Sequence, residues 1–147
     1  NCLMEYISHP YIVPDRVEKR AYQFSIAMRS LDGNTLVVIP TGLGKTAIAL
    51  VIAASRLFSS GGKVLMLAPT KPLVEQHLRY FQTLLNLPGG TAEQCVIFTG
   101  ESASAARTAE WEAATVVFAT PQVIKNDVIA GRYTLSDVSL LVIDDKS

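Results

Sequence analysis

Short apolar segments alternate with longer helical patterns along most of this 147-residue chain. The apolar segments are rich in Val, Ile and Leu, and their hydrophobic residues are contiguous rather than interleaved with polar ones. Contiguous apolar strands are typical of a parallel sheet that is buried on both faces. Because the connections between such strands are right-handed, their helices cover both faces. The pattern therefore predicts an α/β fold with a doubly wound, mostly parallel sheet and helices on both faces.

The positions of the individual elements follow from the same pattern and from the residues that end helices. Asp15, after Pro14, is the candidate N-cap of the first helix, and Gly61 and Gly62 supply the left-handed backbone that ends the second. Strands are expected at residues 35–39, 63–68, 94–98, 115–119 and 140–143, and helices at residues 16–29, 44–58, 72–85, 102–113 and 121–130.

The composition indicates one globular domain whose net charge does not point to a partner. Thirteen Lys and Arg residues balance thirteen Asp and Glu residues, so any contact with nucleic acid must be made by a few local groups. The apolar runs are far shorter than the roughly 20 residues of a membrane span, and no signal peptide is visible. We therefore expect a soluble intracellular protein, cytoplasmic or, in a eukaryote, nuclear. Cys2 and Cys95 lack metal-ligand spacing and are expected to be free thiols.

The segment PTGLGKT, residues 40–46, lies between a predicted strand and a predicted helix and predicts a phosphate-binding loop. Its glycines allow successive backbone N–H groups to point at phosphate oxygens, and the helix N-terminus adds positive partial charge. Lys45 would contact the β- and γ-phosphates, and the Thr46 hydroxyl would coordinate Mg²⁺. The residues expected to bind the nucleotide here are Thr41, Gly42, Leu43, Gly44, Lys45 and Thr46.

Ile39 stands where the strict form of this motif has glycine, and Ile39 followed by PTGLGKT resembles motif I of superfamily 2 helicases. Further segments resemble motifs of that superfamily in the same order. They are RAYQ at residues 20–23 (the Q-type motif), APTKPLVEQH at 68–77 (motif Ia), TGE at 99–101 (the Thr-Gly element), ATPQ at 119–122 (motif Ib) and VIDD at 142–145 (motif II). The sequences of these motifs are most similar to those of archaeal Hef helicase and of the Fanconi anaemia M-type and Mph-type translocases. RIG-I-like and Dicer helicases are more distant.

This resemblance implies an ATP site in a RecA-like domain. In the family the Q-type glutamine pairs with adenine, which makes ATP the expected nucleotide, read by Gln23 with Arg20 near the base or phosphates. Asp144 would hold Mg²⁺, and the residue after it would orient the attacking water. The family has glutamate there, whereas this chain has Asp145, which is one methylene shorter. The expected catalytic residues are Lys45, Asp144 and Asp145, and the expected metal ligands are Thr46 and Asp144.

The resemblance also implies a nucleic-acid interface, because motif Ia, the Thr-Gly element and motif Ib of this family contact the strand backbone. Backbone contacts position a strand without reading its sequence, as a translocase requires. Thr70 and Thr120 are also candidate N-caps of the helices that follow them. The residues expected to contact nucleic acid are Pro69, Thr70, Lys71, Thr99, Gly100, Thr120, Pro121 and Gln122.

The resemblance as a whole implies the first RecA-like domain of an ATP-dependent helicase or translocase acting on forked or branched DNA. Residues 1–147 would end near motif II, and a second RecA-like domain would be the partner that completes the site. Alone, the chain is expected to bind nucleotide weakly and not to unwind. His77 and Trp111 are expected to have structural roles, with Trp111 packing its helix onto the sheet.

Three alternatives stay open at this point. Asp145 motivates a helicase-like module that binds ATP or a protein partner without hydrolysis. An RNA-directed, RIG-I-like ATPase is a second alternative, because no residue reads or excludes a 2′-hydroxyl. A small-molecule kinase on a P-loop scaffold is the third, although the chain lacks both the first motif glycine and an arginine-rich lid.

Overall fold

A computed structural model of the chain describes residues 5–18, 27–31, 34–40, 45–101 and 104–145, with only the backbone at residues 27–31, 40 and 104. No helix within those ranges combines the length and apolar character needed to cross a membrane. The strands are β1 (Ala27–Leu31), β2 (Asn34–Pro40), β3 (Lys63–Leu67), β4 (Cys95–Phe98), β5 (Val116–Ala119) and β6 (Val138–Asp145). The helices are α1 (Lys45–Ser60), α2 (Lys71–Leu84), α3 (Thr91–Gln94), α4 (Ser104–Ala113) and α5 (Pro121–Ile129).

The six strands form one sheet in the order β1-β2-β6-β3-β5-β4. The pairs β2–β6, β6–β3, β3–β5 and β5–β4 are parallel, and β1 pairs with β2 in the antiparallel sense. The connections β2-α1-β3 and β3-α2-β4 cross the sheet in one direction, whereas β4-α4-β5 and β5-α5-β6 return in the other. With right-handed crossovers, that reversal places the two pairs of helices on opposite faces.

The two faces of the sheet carry separate apolar clusters. In β3, Val64 and Met66 belong to the cluster that contains α1 and α2, whereas Leu65 belongs to the cluster with α4 and α5. Successive side chains of a strand point to opposite faces, so the two clusters are the two sides of the sheet. Trp111 on α4 is buried in the second cluster, which confirms its predicted packing role. The predicted doubly wound, mostly parallel fold is confirmed.

The predicted first helix, residues 16–29, is wrong at both ends. Asp15 has a φ of 62°, not the extended backbone of an N-cap, and Glu18 forms an antiparallel bridge with Tyr6. Residues 27–29 lie in β1, where pairing with β2 overrides the local helical pattern. Residues 19–26 lie outside the described residues, so the middle of that prediction is not tested.

The remaining predicted elements are present, with shifted ends. α1 extends to Ser60 and ends as predicted at two glycines with positive φ, Gly61 at 68° and Gly62 at 83°. β6 is longer than predicted at both ends. The short helix α3 was not predicted. The Thr91 hydroxyl at its start accepts from the Leu87 N–H and donates to the Leu85 carbonyl, side-chain bonds that close the turn.

A buried ion pair joins α4 to α5. The Arg107 Nε donates to both carboxylate oxygens of Asp127, at 3.0 and 2.8 Å, and Tyr133 donates its hydroxyl at 2.7 Å. Arg107 also donates to the Thr99 carbonyl at 3.0 Å, which ties the loop after β4 to the same pair. Asp127 is fully buried and Arg107 is 5% exposed, so removing one partner leaves a buried charge without compensation.

We expect Asp127→Ala to lower the free energy of unfolding of the chain by about 3–5 kcal/mol. Urea unfolding measures the change, with Asn126→Ala on the exposed face of α5 as the control, expected within about 0.5 kcal/mol of wild type. Equal effects of the two substitutions would contradict a stabilising role for the pair.

The pH dependence of this contribution follows from the Asp127 pKa. Burial opposes the charged carboxylate, but hydrogen bonds from Arg107, Tyr133 and Arg132 outweigh burial and lower the pKa of Asp127. Because the folded pKa lies below the unfolded value of about 3.9, the stabilisation is fully present above that pH and is lost as the pH falls through the folded pKa. The difference between wild type and Asp127→Ala should therefore shrink only below about pH 4.

Candidate functional site

Motif Ia, the Thr-Gly element, motif Ib and motif II lie at one edge of the sheet. Parallel strands have their carboxyl ends at the same edge, and ligand sites of doubly wound folds lie there. The register sets Leu67 at the end of β3 beside Ile143 of β6 and beside Ala119 of β5, which pairs with Phe98 of β4. The loops after β3, β4 and β5, with motif Ia, the Thr-Gly element and motif Ib, therefore leave the sheet side by side.

The predicted motif II lies next to the strand that leads into the phosphate-binding segment. In the parallel pair β2–β6, Ile39 is opposite Asp144 and Pro40 is opposite Asp145. Neighbouring strands are about 4.8 Å apart, so both aspartates lie beside the point where the chain leaves β2. Lys45 and Thr46 begin α1 directly after that segment. The predicted nucleotide-binding residues Arg20, Gln23, Thr41, Gly42, Leu43 and Gly44 lie outside the described residues.

His77 connects the two predicted magnesium ligands. Its Nε2 lies 2.8 Å from Oδ2 of Asp144, and its Nδ1 lies 3.3 Å from Oγ1 of Thr46. The His77 ring comes from the buried face of α2 and is 5% exposed, and the Asp144 side chain is 11% exposed. One imidazole thus spans a hydroxyl from the start of α1 and a carboxylate from the end of β6.

From the sequence His77 is expected to have only a structural role, and its contact with Asp144 is not predicted. The signal was nevertheless present, because Val74, His77, Phe81 and Leu84 form the buried stripe of α2 at helical spacing. A polar side chain in an otherwise apolar stripe needs a hydrogen-bonding partner inside the protein. The stripe could have indicated that His77 has such a partner, but not that the partner is Asp144.

The oxygen atoms at this point fit Mg²⁺. Magnesium in nucleotide sites is held by one or two protein oxygens together with phosphate oxygens and water. Thr46 supplies a hydroxyl and Asp144 supplies a carboxylate, both held by the same imidazole. Among the residues that the structure describes, no three His, Cys, Asp or Glu side chains are grouped so that they could hold a metal ion.

A shallow surface cleft of about 90 Å³ lies where the loops after β3, β4 and β5 meet. Its lining includes four residues predicted to contact nucleic acid: Lys71, Thr99, Gly100 and Thr120. The Lys71 Nζ donates to both carboxylate oxygens of Glu101, at 3.0 and 3.2 Å. This hydrogen bond raises the pKa of Lys71, and both side chains are largely exposed. The structure therefore brings three separate predicted motifs together around one lysine.

The other residues predicted to contact nucleic acid, Pro69, Thr70, Pro121 and Gln122, are exposed and adjoin the cleft residues in sequence. Thr70 is the N-cap of α2, and its hydroxyl accepts from the Leu73 N–H at 3.4 Å. Thr120 is the N-cap of α5, but its side chain makes no capping hydrogen bond. Both threonines therefore begin a helix, as one reading of the sequence predicted.

Cys95 is a buried free thiol, as expected, while Cys2 lies outside the described part of the chain. Burial raises the pKa of Cys95 to about 12. Because the thiolate is the nucleophilic form of cysteine, Cys95 is unreactive at neutral pH.

Comparison with known proteins identifies the family of this domain. The family model for the DEAD/DEAH box helicase matches residues 20–146. A Methanocaldococcus jannaschii protein named "Putative ATP-dependent RNA helicase" is 42% identical over 140 residues, which cover 95% of this chain and 18% of that protein. The ATP-dependent DNA helicase MPH1 of Debaryomyces hansenii is 41% identical over 137 residues, which cover 92% of this chain and 12% of that protein.

A solved structure extends the similarity to the fold. The Hef helicase domain from Pyrococcus furiosus is 54% identical, with a TM-score of 0.66 over 74% of this chain and 22% of that chain. The chain spans less than a fifth of the length of the two relatives named above. The expected resemblance to Hef-like and Mph-type helicases and the RecA-like fold are confirmed. The chain belongs to the DEAD/DEAH box helicase family.

Proposed function

We propose that this domain is the first of two RecA-like domains in an ATP- and Mg²⁺-dependent DNA helicase or translocase. The observation that carries the proposal is the register of β2 and β6, which sets Asp144 and Asp145 beside the start of the phosphate-binding segment. That arrangement supports the proposal because it would unite a phosphate site with a carboxylate able to hold Mg²⁺, the two requirements of phosphoryl transfer from ATP.

In the nucleotide site, different side chains would bind the phosphates, the adenine and the Mg²⁺ ion. Lys45 and the backbone of residues 41–44 would hold the phosphates, and Gln23 and Arg20 would hold the adenine end. Thr46 and Asp144 would hold Mg²⁺, which when bound neutralises charge on the phosphate oxygens. Asp145 would orient the attacking water. A second RecA-like domain would supply the arginine that stabilises the transition state, an effect worth roughly 10³–10⁵ in rate.

The nucleic-acid strand would bind across the cleft formed by the loops after β3, β4 and β5. Lys71 offers a charge for a phosphate, Thr99 and Thr120 offer hydroxyls, and Gly100 leaves room for a close backbone approach. Among the residues that the structure describes, no atom lies within 4 Å of where a Gly100 side chain would begin, so their packing leaves the backbone open on that side. Pro69, Thr70, Pro121 and Gln122 would form the rim.

The proposed substrate is DNA with a fork or branch, inside the cell. The name of the Debaryomyces hansenii relative states DNA, and the solved neighbour is a Hef helicase domain. The name of the archaeal relative states RNA, so RNA is the competing substrate. Contacts with the phosphates alone do not distinguish the two, because the difference along the backbone is the 2′-hydroxyl of the sugar.

The test is ATP hydrolysis by the complete protein that contains this domain, without nucleic acid and with forked DNA, linear duplex DNA or duplex RNA. We expect stimulation by DNA, strongest with the fork. Equal stimulation by RNA would mean that the protein does not select DNA over RNA. The proposal would be contradicted if no nucleic acid changed the rate of ATP hydrolysis and the protein did not bind forked DNA.

The ion pair of Lys71 with Glu101 gives a sharper test of the cleft. A phosphate at Lys71 must compete with the Glu101 carboxylate, which also repels the strand. We expect Glu101→Gln to tighten binding of forked DNA about two- to fivefold and to steepen its salt dependence. Without the ion pair, Lys71 can neutralise a DNA phosphate and so releases the counterions bound to that phosphate. Fluorescence anisotropy of labelled DNA at several salt concentrations measures both effects.

The control for this substitution is Glu110→Gln, which removes an exposed carboxylate from α4 and lies outside the cleft lining. It changes net charge by the same amount, so a general electrostatic effect would appear in both variants. Equal tightening in Glu110→Gln and Glu101→Gln would mean that the cleft is not the binding surface. Lys71→Ala should weaken binding and reduce the salt dependence.

A helicase-like module that binds ATP without hydrolysis is the second candidate. Asp145 favours it, because the shorter carboxylate would stand further from the attacking water than the glutamate of the family. This candidate predicts Mg²⁺-dependent nucleotide binding by the complete protein and no turnover with any nucleic acid.

A further inference from the structure

His77 makes two hydrogen bonds at the nucleotide end of the sheet that the proposed reaction has not yet used. It lies on α2, between the α1 residue Thr46 and the β6 residue Asp144, and it is buried. We propose that His77 is a positioning residue that orients both protein ligands of the Mg²⁺ ion. This inference rests on the proposed function, because the ion belongs to the nucleotide site.

The direction of each hydrogen bond follows from the chemistry of the partners. The carboxylate of Asp144 only accepts, so the His77 Nε2 carries a proton and donates it over 2.8 Å. In the neutral ring the other nitrogen, Nδ1, is then an acceptor. With the neutral imidazole, the Thr46 hydroxyl, 3.3 Å away, is the donor in this second bond. The whole chain of bonds therefore runs from Thr46 through the imidazole to Asp144.

These hydrogen-bond directions leave lone pairs on the Thr46 and Asp144 oxygens available to a cation. A threonine hydroxyl that donates its single proton to Nδ1 keeps its lone pairs for a metal ion. Asp144 accepts the hydrogen bond from His77 on Oδ2, which leaves Oδ1 for the ion or its bound water. Oriented ligands bind a cation more tightly because their rotamers are already selected, and loss of such an orienting partner typically costs 10–100-fold in metal affinity.

The fold supports a rigid placement of the ring. His77 sits in the buried stripe of α2 together with Val74 and Phe81, and Phe81 packs edge-on against Phe118 of β5 at 5.1 Å between ring centroids. These apolar contacts fix α2 against the sheet, and the two imidazole nitrogens of His77 face Thr46 of α1 and Asp144 of β6. The position is 67 residues from Asp144 and 31 from Thr46 in sequence.

The experiment measures binding of a fluorescent, non-hydrolysable ATP analogue to the complete protein, once with excess Mg²⁺ and once with EDTA. The ratio of the two affinities, the magnesium gain, reports the ion without requiring turnover. In His77→Leu we expect the magnesium gain to fall about 10–100-fold, with the affinity in EDTA unchanged. The unchanged EDTA affinity also shows that the phosphate-binding segment is still folded.

Two milder variants separate hydrogen bonding from packing. Glutamine carries a donor and an acceptor on one amide, so His77→Gln can serve both partners and should restore most of the magnesium gain. Asparagine reaches the place of Nδ1 but not that of Nε2, so His77→Asn should lose the Asp144 contact and much of the gain. If His77→Leu fails to fold, this pair of variants decides the question.

The control is Gln82→Leu, which removes a side-chain hydrogen bond from the same helix, to the Cys95 carbonyl at 3.3 Å, away from the nucleotide end. It should keep the full magnesium gain. A wild-type gain in His77→Leu, or equal losses in His77→Leu and His77→Gln, would overturn the role of His77. A wild-type protein with no magnesium gain would instead overturn the proposed nucleotide site, and the inference would fall with it.

Discussion

Alanine at Lys45 is expected to lower ATP hydrolysis by the complete protein at least about 10²–10³-fold, the loss seen when one preorganised charge-stabilising donor is removed from an active site. Lys45 is the first residue of α1, directly after the proposed phosphate loop. There the ammonium group would add to the positive end of the helix and would stabilise the charge that builds on the transferred phosphate.

Steady-state phosphate release with saturating forked DNA measures this effect. Lys125→Ala removes an exposed lysine from α5 and should leave the rate unchanged. Binding of the ATP analogue should also weaken in Lys45→Ala, because the same charge would hold the phosphates in the ground state. Hydrolysis at the wild-type rate in Lys45→Ala would mean that the phosphates do not bind after β2, and the proposed function would fail.

Glutamate at position 145 is expected to raise kcat by about 10²-fold if the domain hydrolyses ATP. Asp145 lies opposite Pro40 at the exposed end of β6, beside the strand that leads into the phosphate-binding segment. Its carboxylate is one methylene shorter than that of glutamate, and a displacement of about 1 Å from the productive geometry can cost on the order of 10²-fold. Restoring the length moves the carboxylate back towards the attacking water.

Asp145→Gln is the matched control, because glutamine has the length of glutamate without its negative charge. It should stay at or below the rate of the wild-type chain, while Asp145→Glu rises. Single-turnover measurements separate the chemical step from product release. If Asp145→Glu does not rise above wild type, the shorter side chain is not what limits hydrolysis, and Asp145 no longer favours the non-catalytic module.

Local sequence patterns were sufficient for the element types and for the main motifs. The contiguous apolar segments predicted the five parallel strands because a strand buried on both faces has no polar alternation. Glycine, lysine and threonine between a strand and a helix indicated a phosphate loop, because the residues of such a loop are adjacent in sequence. The prediction of the first helix was wrong because strand pairing depends on residues outside the paired segment. Residues 27–29 join β1 through pairing with β2, which a local helical pattern does not report.

Only the tertiary structure decided which side chains meet. His77 reaches Asp144 across 67 residues, and Arg107 reaches Asp127 across 20, from one helix to the next. Lys71 meets Glu101 across 30 residues, because the strands β3, β5 and β4 are neighbours in the sheet. Such pairs depend on strand order and on how the helices pack, and neither is encoded in the periodicity of one segment. The sequence by itself therefore determined the five parallel strands, the longer helices between them and the nucleotide motif. The packed sheet decided that one buried histidine joins the two proposed magnesium ligands.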